Sequence, residues 1–169
     1  MPKFIHSLKA LAIYKSRIHF NSENDKQIYS LRNSSRGCLW TILDYGDALD
    51  QQELVNIGIA GVLFVAISSA GGISEERDSE IREELFNIAD FLKFLNNGRD
   101  ITKYPSFPPQ PLLAKISIEQ IEEEGANEEV DAQIANKGLY GNVKDKSKEV
   151  EGLLLNFFID KNSSKPYWY

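Results

Sequence analysis

The sequence predicts an α+β protein: a central buried helical hairpin, at about residues 50–70 and 75–96, covered by strands from the N- and C-terminal segments. Three observations carry this expectation. Leu54–Ser74, LVNIGIAGVLFVAISSAGGIS, is a run of 21 residues without Asp, Glu, Lys or Arg in a chain that is otherwise 26% charged. Ile81, Leu85, Ile88, Leu92 and Leu95 then recur at spacings of 4, 3, 4 and 3, which is one face of an amphipathic helix. Segments rich in β-branched and aromatic residues lie towards both ends.

Taken in chain order, residues 10–20 mix apolar and polar positions, NSEND at 21–25 has turn chemistry, and QIYSL at 27–31 reads as a returning strand, so a hairpin is expected there. NSSRG at 33–37 reads as a break. CLWTILDYGDAL at 38–49 has no clean apolar face and contains Gly46, but leans to helix because it leads directly into the central helix. Asp50 is the expected N-cap of that central helix, with Glu53 completing a capping box, and Gly71-Gly72 its stop. Ser74 then caps the second helix, with Glu75, Glu76 and Asp78 in its first turn, Phe86, Ala89 and Phe91 widening its apolar stripe, and Asn96-Asn97-Gly98 ending it.

Pro105, Pro108, Pro109 and Pro111 make residues 100–111 a connector without regular structure. PLLAKISIEQIEEE (111–124) starts like a strand and turns helical at its acidic end. Residues 137–148 read as loop, and VEGLLLNFFID (150–160) as a buried strand. No internal repeat is visible, and 169 residues fit a single domain over 1–169.

The uncharged run has two physical readings. As a single span, Leu54–Gly72 is long enough to cross a bilayer, and Gly58, Ala60 and Gly61 suit close helix packing there. Both flanks are acidic, however, with Asp44, Asp47, Asp50 and Glu53 before it and Glu75, Glu76 and Asp78 after it, against the usual Lys/Arg bias at a cytoplasmic end. Its strictly apolar part, Ile57–Ile67, is only 11 residues, the length of a buried core helix. A core helix apolar on all sides must be central, and Gly58 and Gly61 are then expected where another backbone comes close. The core reading leads, with the membrane as the alternative.

Net charge is −6, and it is unevenly placed. Of the 19 Lys and Arg, four (Lys3, Lys9, Lys15, Arg17) lie in residues 1–22 without an acid, leaving 15 against 25 acids and a net of −10 in the remainder. Attraction to nucleic acid is therefore not expected. The basic start, with Phe4, Leu8 and Leu11 at helical spacing, resembles a mitochondrial presequence more than a secretory signal. Cys38 is the single cysteine, so neither an internal disulfide nor a Cys-based zinc site is available, and beside Leu39 and Trp40 burial is expected for it.

No catalytic set emerges. His6 and His19 have no partner at metal-ligand spacing. Asp44, Asp47 and Asp50, and Glu80, Glu83, Glu84 and Asp90, could hold Mg²⁺ or Mn²⁺, but such acids are more often caps and solvated helix faces. No phosphate loop, EF-hand, nucleophile elbow or zinc-protease motif is present. No cofactor, no metal and no catalytic residue are assigned.

What remains is charge. Residues 119–131 hold seven acids in 13 positions: Glu119, Glu122, Glu123, Glu124, Glu128, Glu129 and Asp131. They are candidate contacts for a basic protein partner, steered electrostatically, as are the aromatic Tyr167, Trp168 and Tyr169 at the C-terminus. The leading expectation is a non-catalytic, cytoplasmic acidic binding protein, such as an inhibitor or immunity-type protein that caps a basic toxin or nuclease. The alternatives are the single-span membrane subunit and, more weakly, a carboxylate-metal enzyme.

Overall fold

A computed structural model of the chain describes residues 2–14, 22–68, 78–135 and 142–156. Eight helices occupy them: α1 (Pro2–Ala12), α2 (Ser22–Tyr45), α3 (Ala48–Asn56), α4 (Ile59–Ser68), α5 (Asp78–Asn97), α6 (Pro111–Glu123), α7 (Ala126–Ala135) and α8 (Asn142–Asn156). The α+β expectation is overturned. Among the described residues there is no sheet, and the sole strand-like pairing is an isolated bridge between Arg99 and Phe107. The segments expected as strands are helical wherever they are described: 27–31 lies inside α2, 111–118 inside α6 and 150–156 inside α8.

The hydrophobic centre is α4. Ile59, Ala60, Gly61, Val62, Leu63, Phe64 and Ile67 are all buried. A helix without a polar face can be stable only if other elements surround it, and α4 packs chiefly on α5 and α6, with further contacts to α1, α3 and α7. Across this centre one apolar cluster draws residues from all eight helices, from Ile5 in α1 to Leu154 in α8. The expected α5 stripe forms as read: Ile81, Leu85, Ile88, Leu92 and Leu95 are buried, with Ala89 and Phe91 beside them, while Phe86 turns outwards. Gly98 follows the helix end, as expected.

The central helix starts earlier than the sequence suggests and is broken. Its N-cap is Asp47, not Asp50. Asp47 Oδ1 accepts from the backbone N–H groups of Leu49 (2.8 Å) and Asp50 (3.1 Å), and Asp50 Oδ2 accepts from the Asp47 N–H (3.1 Å), so the capping box sits one turn upstream. The break falls at Ile57-Gly58, where Gly58 adopts φ +78°, a left-handed conformation that a side chain opposes. At the break Lys9 Nζ of α1 donates to the Ile57 carbonyl, and Gln120 Nε2 of α6 donates (2.8 Å) to the Val55 carbonyl, which also accepts from the Gly58 N–H (2.9 Å). Gly61 is the close approach, since a Cβ there would lie 3.3 Å from Glu124 Cγ and 3.7 Å from the Gln120 carbonyl. Residues 69–77, which include the expected Gly71-Gly72 stop and the Ser74 cap, are outside the described residues. Among the described residues no helix is long and apolar enough to cross a membrane; α4 has 10 residues.

The Pro-rich connector is irregular, as expected, and it is anchored by Arg99. The Arg99 N–H donates to the Phe107 carbonyl (2.8 Å) and the Phe107 N–H returns to Arg99 (2.9 Å). The Arg99 side chain is 3% exposed. Nη1 donates to the carbonyls of Leu43 (3.0 Å) and Asp44 (2.9 Å), Nη2 to that of Gly46, and Nε to that of Pro105 (3.0 Å). The guanidinium lies 4.7 Å from the Phe107 ring centre and 5.8 Å from those of Phe94 and Tyr104. A cation thus closes the C-terminal end of α2, where the helix dipole is negative and carbonyls lack partners, and Gln51 Nε2 adds a 2.7 Å bond to the Leu43 carbonyl.

This packing makes two sites decisive for stability. Leu63→Asp places an unpaired charge at a fully buried site, a penalty of several kcal/mol against a typical total of about 5–15. The variant is expected to lose the cooperative thermal transition seen by circular dichroism, while Leu63→Ala melts earlier but cooperatively. Arg99→Lys keeps the charge and loses the planar fork, so several carbonyls lose their donor. The expected loss is about 2–4 kcal/mol in urea unfolding; a loss below about 0.5 kcal/mol would mean that charge alone holds the end of α2.

Candidate functional site

The acids of 119–131 form the edge where α6 turns into α7. Glu119, Glu122 and Glu123 are on α6, Glu124 is its C-cap residue, and Glu128, Glu129 and Asp131 are on α7. Six of the seven are exposed; Glu129 is half-buried and accepts from Gln133 Nε2 at 2.9 Å. Glu119 lies 3.8 Å from Lys115. Glu128 and Glu129 sit in the first turn of α7, where the dipole favours them. Glu122 and Glu123 sit in the last turn of α6, which has no basic residue, and Glu124 follows directly. Three carboxylates are there placed against the helix dipole and beside one another, an arrangement that opposes local stability. Tyr167, Trp168 and Tyr169 are outside the described residues.

A second feature was not read from the sequence. Between α2, α5 and the 99–107 segment lies a cleft of about 280 Å³. Trp40, Phe86, Phe94 and Tyr104 supply aromatic wall, Asp44 and Asp90 supply carboxylates, and Arg99 forms part of the boundary. Trp40 is fixed from behind: its Nε1 donates to Glu84 Oε2 at 3.4 Å, and Glu84 Oε1 lies 3.5 Å from Arg36 Nε, a pair that is almost fully buried. At the rim, the Tyr45 and Tyr104 rings are 5.1 Å apart and inclined by 57°. Phe86 carries Lys146 Nζ at 4.7 Å from its ring centre, a cation–π contact from α8.

Electrostatically, burial pushes the Asp44 carboxyl above its ordinary value; Arg99 partly offsets this, and Asp90 adds to it by like-charge repulsion. Burial also lowers the Arg99 guanidinium from its ordinary value, opposed by Asp44 and Tyr104. At the α5–α8 contact, hydrogen bonds from Lys146 and Lys93 hold Glu149 below the usual carboxylate value, while the bond to Glu149 raises Lys93. Lys93 also approaches Asp90 at 3.8 Å.

The remaining sequence candidates are dispersed. Cys38 is exposed, contrary to the expected burial, because it faces away from the Leu39 and Leu43 side of α2. His6 is exposed on α1, and His19 is outside the described residues. Asp47 and Asp50 are engaged in the capping box, Glu83 is exposed, and Glu84 pairs with Arg36. Of Glu80 the position on α5 is described, but not the side chain. Among the described residues no group of three or more His, Cys, Asp or Glu is placed to hold a metal ion. The chain matches no protein-family model, no curated protein and no solved structure.

Asp44 yields a pH prediction. Its folded-state value is raised, so the native state binds this proton more tightly than the unfolded chain does. The associated stability is present below the ordinary Asp value and lost as pH rises through the raised folded value. Asp44→Asn removes that loss. It is expected to melt at a higher temperature than the parent at pH 7, with the advantage shrinking to nothing as pH falls below the ordinary Asp range; an equal or lower melting temperature at pH 7 would contradict the burial effect.

Proposed function

We propose that the chain is a non-catalytic binding protein that engages a basic protein partner through the acidic α6–α7 edge. One observation supports this reading above the others: Glu122, Glu123 and Glu124 crowd the C-terminal end of α6 against its dipole, with no basic residue in that turn to relieve them. A basic surface placed over the edge would remove that repulsion, so binding would restore stability that the free protein forgoes. Exposed rim charges of this kind act mainly on the rate and selectivity of association. The inhibitor or immunity-type protein that caps a basic toxin or nuclease is the specific form of this proposal, and a cytoplasmic location belongs with it.

The test is affinity capture on the immobilised full-length chain, with the variant carrying Glu122→Gln, Glu123→Gln, Glu124→Gln and Glu128→Gln in parallel. A basic protein is expected to be retained by the parent at about 0.1 M salt and to associate at least ~10-fold more slowly with the variant. The difference should vanish at about 1 M salt, where the screening length is about 3 Å. Equal retention by parent and variant would overturn the role of the edge.

A further inference from the structure

We propose that the cleft between α2, α5 and the 99–107 segment receives an arginine side chain of the partner, its guanidinium set against the rings of Trp40, Phe86 and Tyr104 and the carboxylates of Asp44 and Asp90. The inference rests on the reading of the chain as a binder of basic protein, and it adds an anchor to an edge that by itself supplies only steering.

Size is the first argument. At about 280 Å³ the cleft falls just below the ~300–1,000 Å³ of typical small-molecule sites, and it suits one long side chain. Wall chemistry is the second. Aromatic faces combined with carboxylates from two different helices select an organic cation, because the ring quadrupole and the formal charges attract the same ligand. The local fold already uses this chemistry: Lys146 lies over Phe86, and the Arg99 guanidinium lies over Phe107.

The boundary arginine does not occupy the place of such a ligand. Arg99 is 3% exposed, and its Nε, Nη1 and Nη2 all donate to backbone carbonyls. Among the described residues no ion pair closes on Asp44, and Asp90 meets Lys93 only at 3.8 Å while Lys93 also bonds to Glu149. Burial raises the Asp44 carboxyl, the Arg99 guanidinium offsets part of that rise, and repulsion from the facing Asp90 adds to it. An incoming cation relieves both effects. Arginine is favoured over lysine because a planar fork can stack on a ring and present donors to separate carboxylates at the same time, whereas an ammonium is a compact, strongly hydrated point.

The experiment uses the ¹⁵N-labelled full chain and the Trp40 indole N–H, identified by its disappearance in Trp40→Phe. Three probes are titrated: a capped Gly-Arg-Gly peptide, its citrulline counterpart, which is neutral and nearly isosteric, and free methylguanidinium. The arginine peptide is expected to shift the Trp40 signal with a dissociation constant in the millimolar range, and Asp44→Asn and Asp90→Asn are each expected to weaken it at least ~5-fold. The citrulline peptide should leave the signal in place. Equal response to citrulline, no response to arginine at about 10 mM, or undiminished binding by both Asn variants would each overturn the proposal. Methylguanidinium binding more tightly than the peptide would also overturn it, by making the cleft a site for a free cation. The variant neutralised at Glu122, Glu123, Glu124 and Glu128 keeps the two readings apart. If partner capture fails while the arginine peptide still titrates Trp40, the acidic-edge reading fails alone. If capture depends on the edge while the peptide does not bind, the cleft assignment fails alone.

Discussion

The guanidinium of Arg99 fastens two stretches of chain through their backbone carbonyls, and the backbone of the same residue adds a third. It closes α2 through Leu43, Asp44 and Gly46, holds the Pro-rich segment through Pro105, and belongs to the residue that pairs with Phe107. A buried cation is normally a heavy penalty, because its hydration is lost. Here several partial negative charges at a helix C-terminus replace the water, and aromatic rings fill the remaining surroundings. Placing α2, α5 and the connector around one side chain also fixes the cleft walls, since Asp44, Asp90 and Tyr104 come from the segments that Arg99 joins or adjoins. The proposed anchor site is in this sense a by-product of how α2 is terminated.

The same logic of satisfying backbone groups across elements governs the centre. The helical run through residues 48–68 is interrupted at Gly58, whose φ of +78° separates α3 from α4. At the break Lys9 arrives from α1 to bond the Ile57 carbonyl, and Gln120 of α6 adds a second donor to the Val55 carbonyl, which the Gly58 N–H already meets. The acid-free, basic N-terminal segment thus has a structural use through Lys9, independent of any resemblance to a targeting sequence. Helix α1 buries Ile5, Leu8 and Ala12, whereas Phe4 and Leu11, which suggested a helical stripe, lie on its exposed side.

The parts of the fold that were legible in the sequence are those where core positions are apolar without interruption. The α5 stripe and the burial of Ile59–Phe64 and Ile67 were read correctly for that reason. The misread helices share a different feature. In α2, α6 and α8 a serine occupies a core position: Ser35, Ser117 and Ser147, each at most 4% exposed. Each donates its hydroxyl to the carbonyl four residues earlier, at 2.8, 2.8 and 3.0 Å. The hydroxyl is satisfied within its own helix, so a small polar residue can stand where helices cross. In the sequence, however, it breaks the period of Leu39 and Leu43, of Leu113, Ile118 and Ile121, and of Val143, Val150 and Leu154. What is left looks like a break at 33–37, alternation at 111–118 and loop at 137–148, which hid the helical period beside the strand-like composition of 27–31 and 150–160. The break at Gly58 was concealed for the opposite reason, since an uninterrupted apolar run carries no mark of a helix break.

The candidate site divides along the same line. The acidic edge was legible because its seven carboxylates fall within 13 consecutive positions, on either side of the α6–α7 turn at Gly125, six of them exposed. The cleft was not, because Trp40, Asp44, Phe86, Asp90 and Tyr104 come from three segments and meet only through packing. The sequence carried no mark of it: Phe86 reads as widening the buried stripe, yet in the structure it is 46% exposed at the cleft rim. A large aromatic side chain left outward next to a buried face, with carboxylates one turn away, withholds apolar area that the core could have used. Both surfaces therefore show the same bias. The free protein carries crowded carboxylates at the end of α6, a partly desolvated Asp44 and an exposed ring, and the proposed cationic protein partner is the one kind of ligand that would relieve all three.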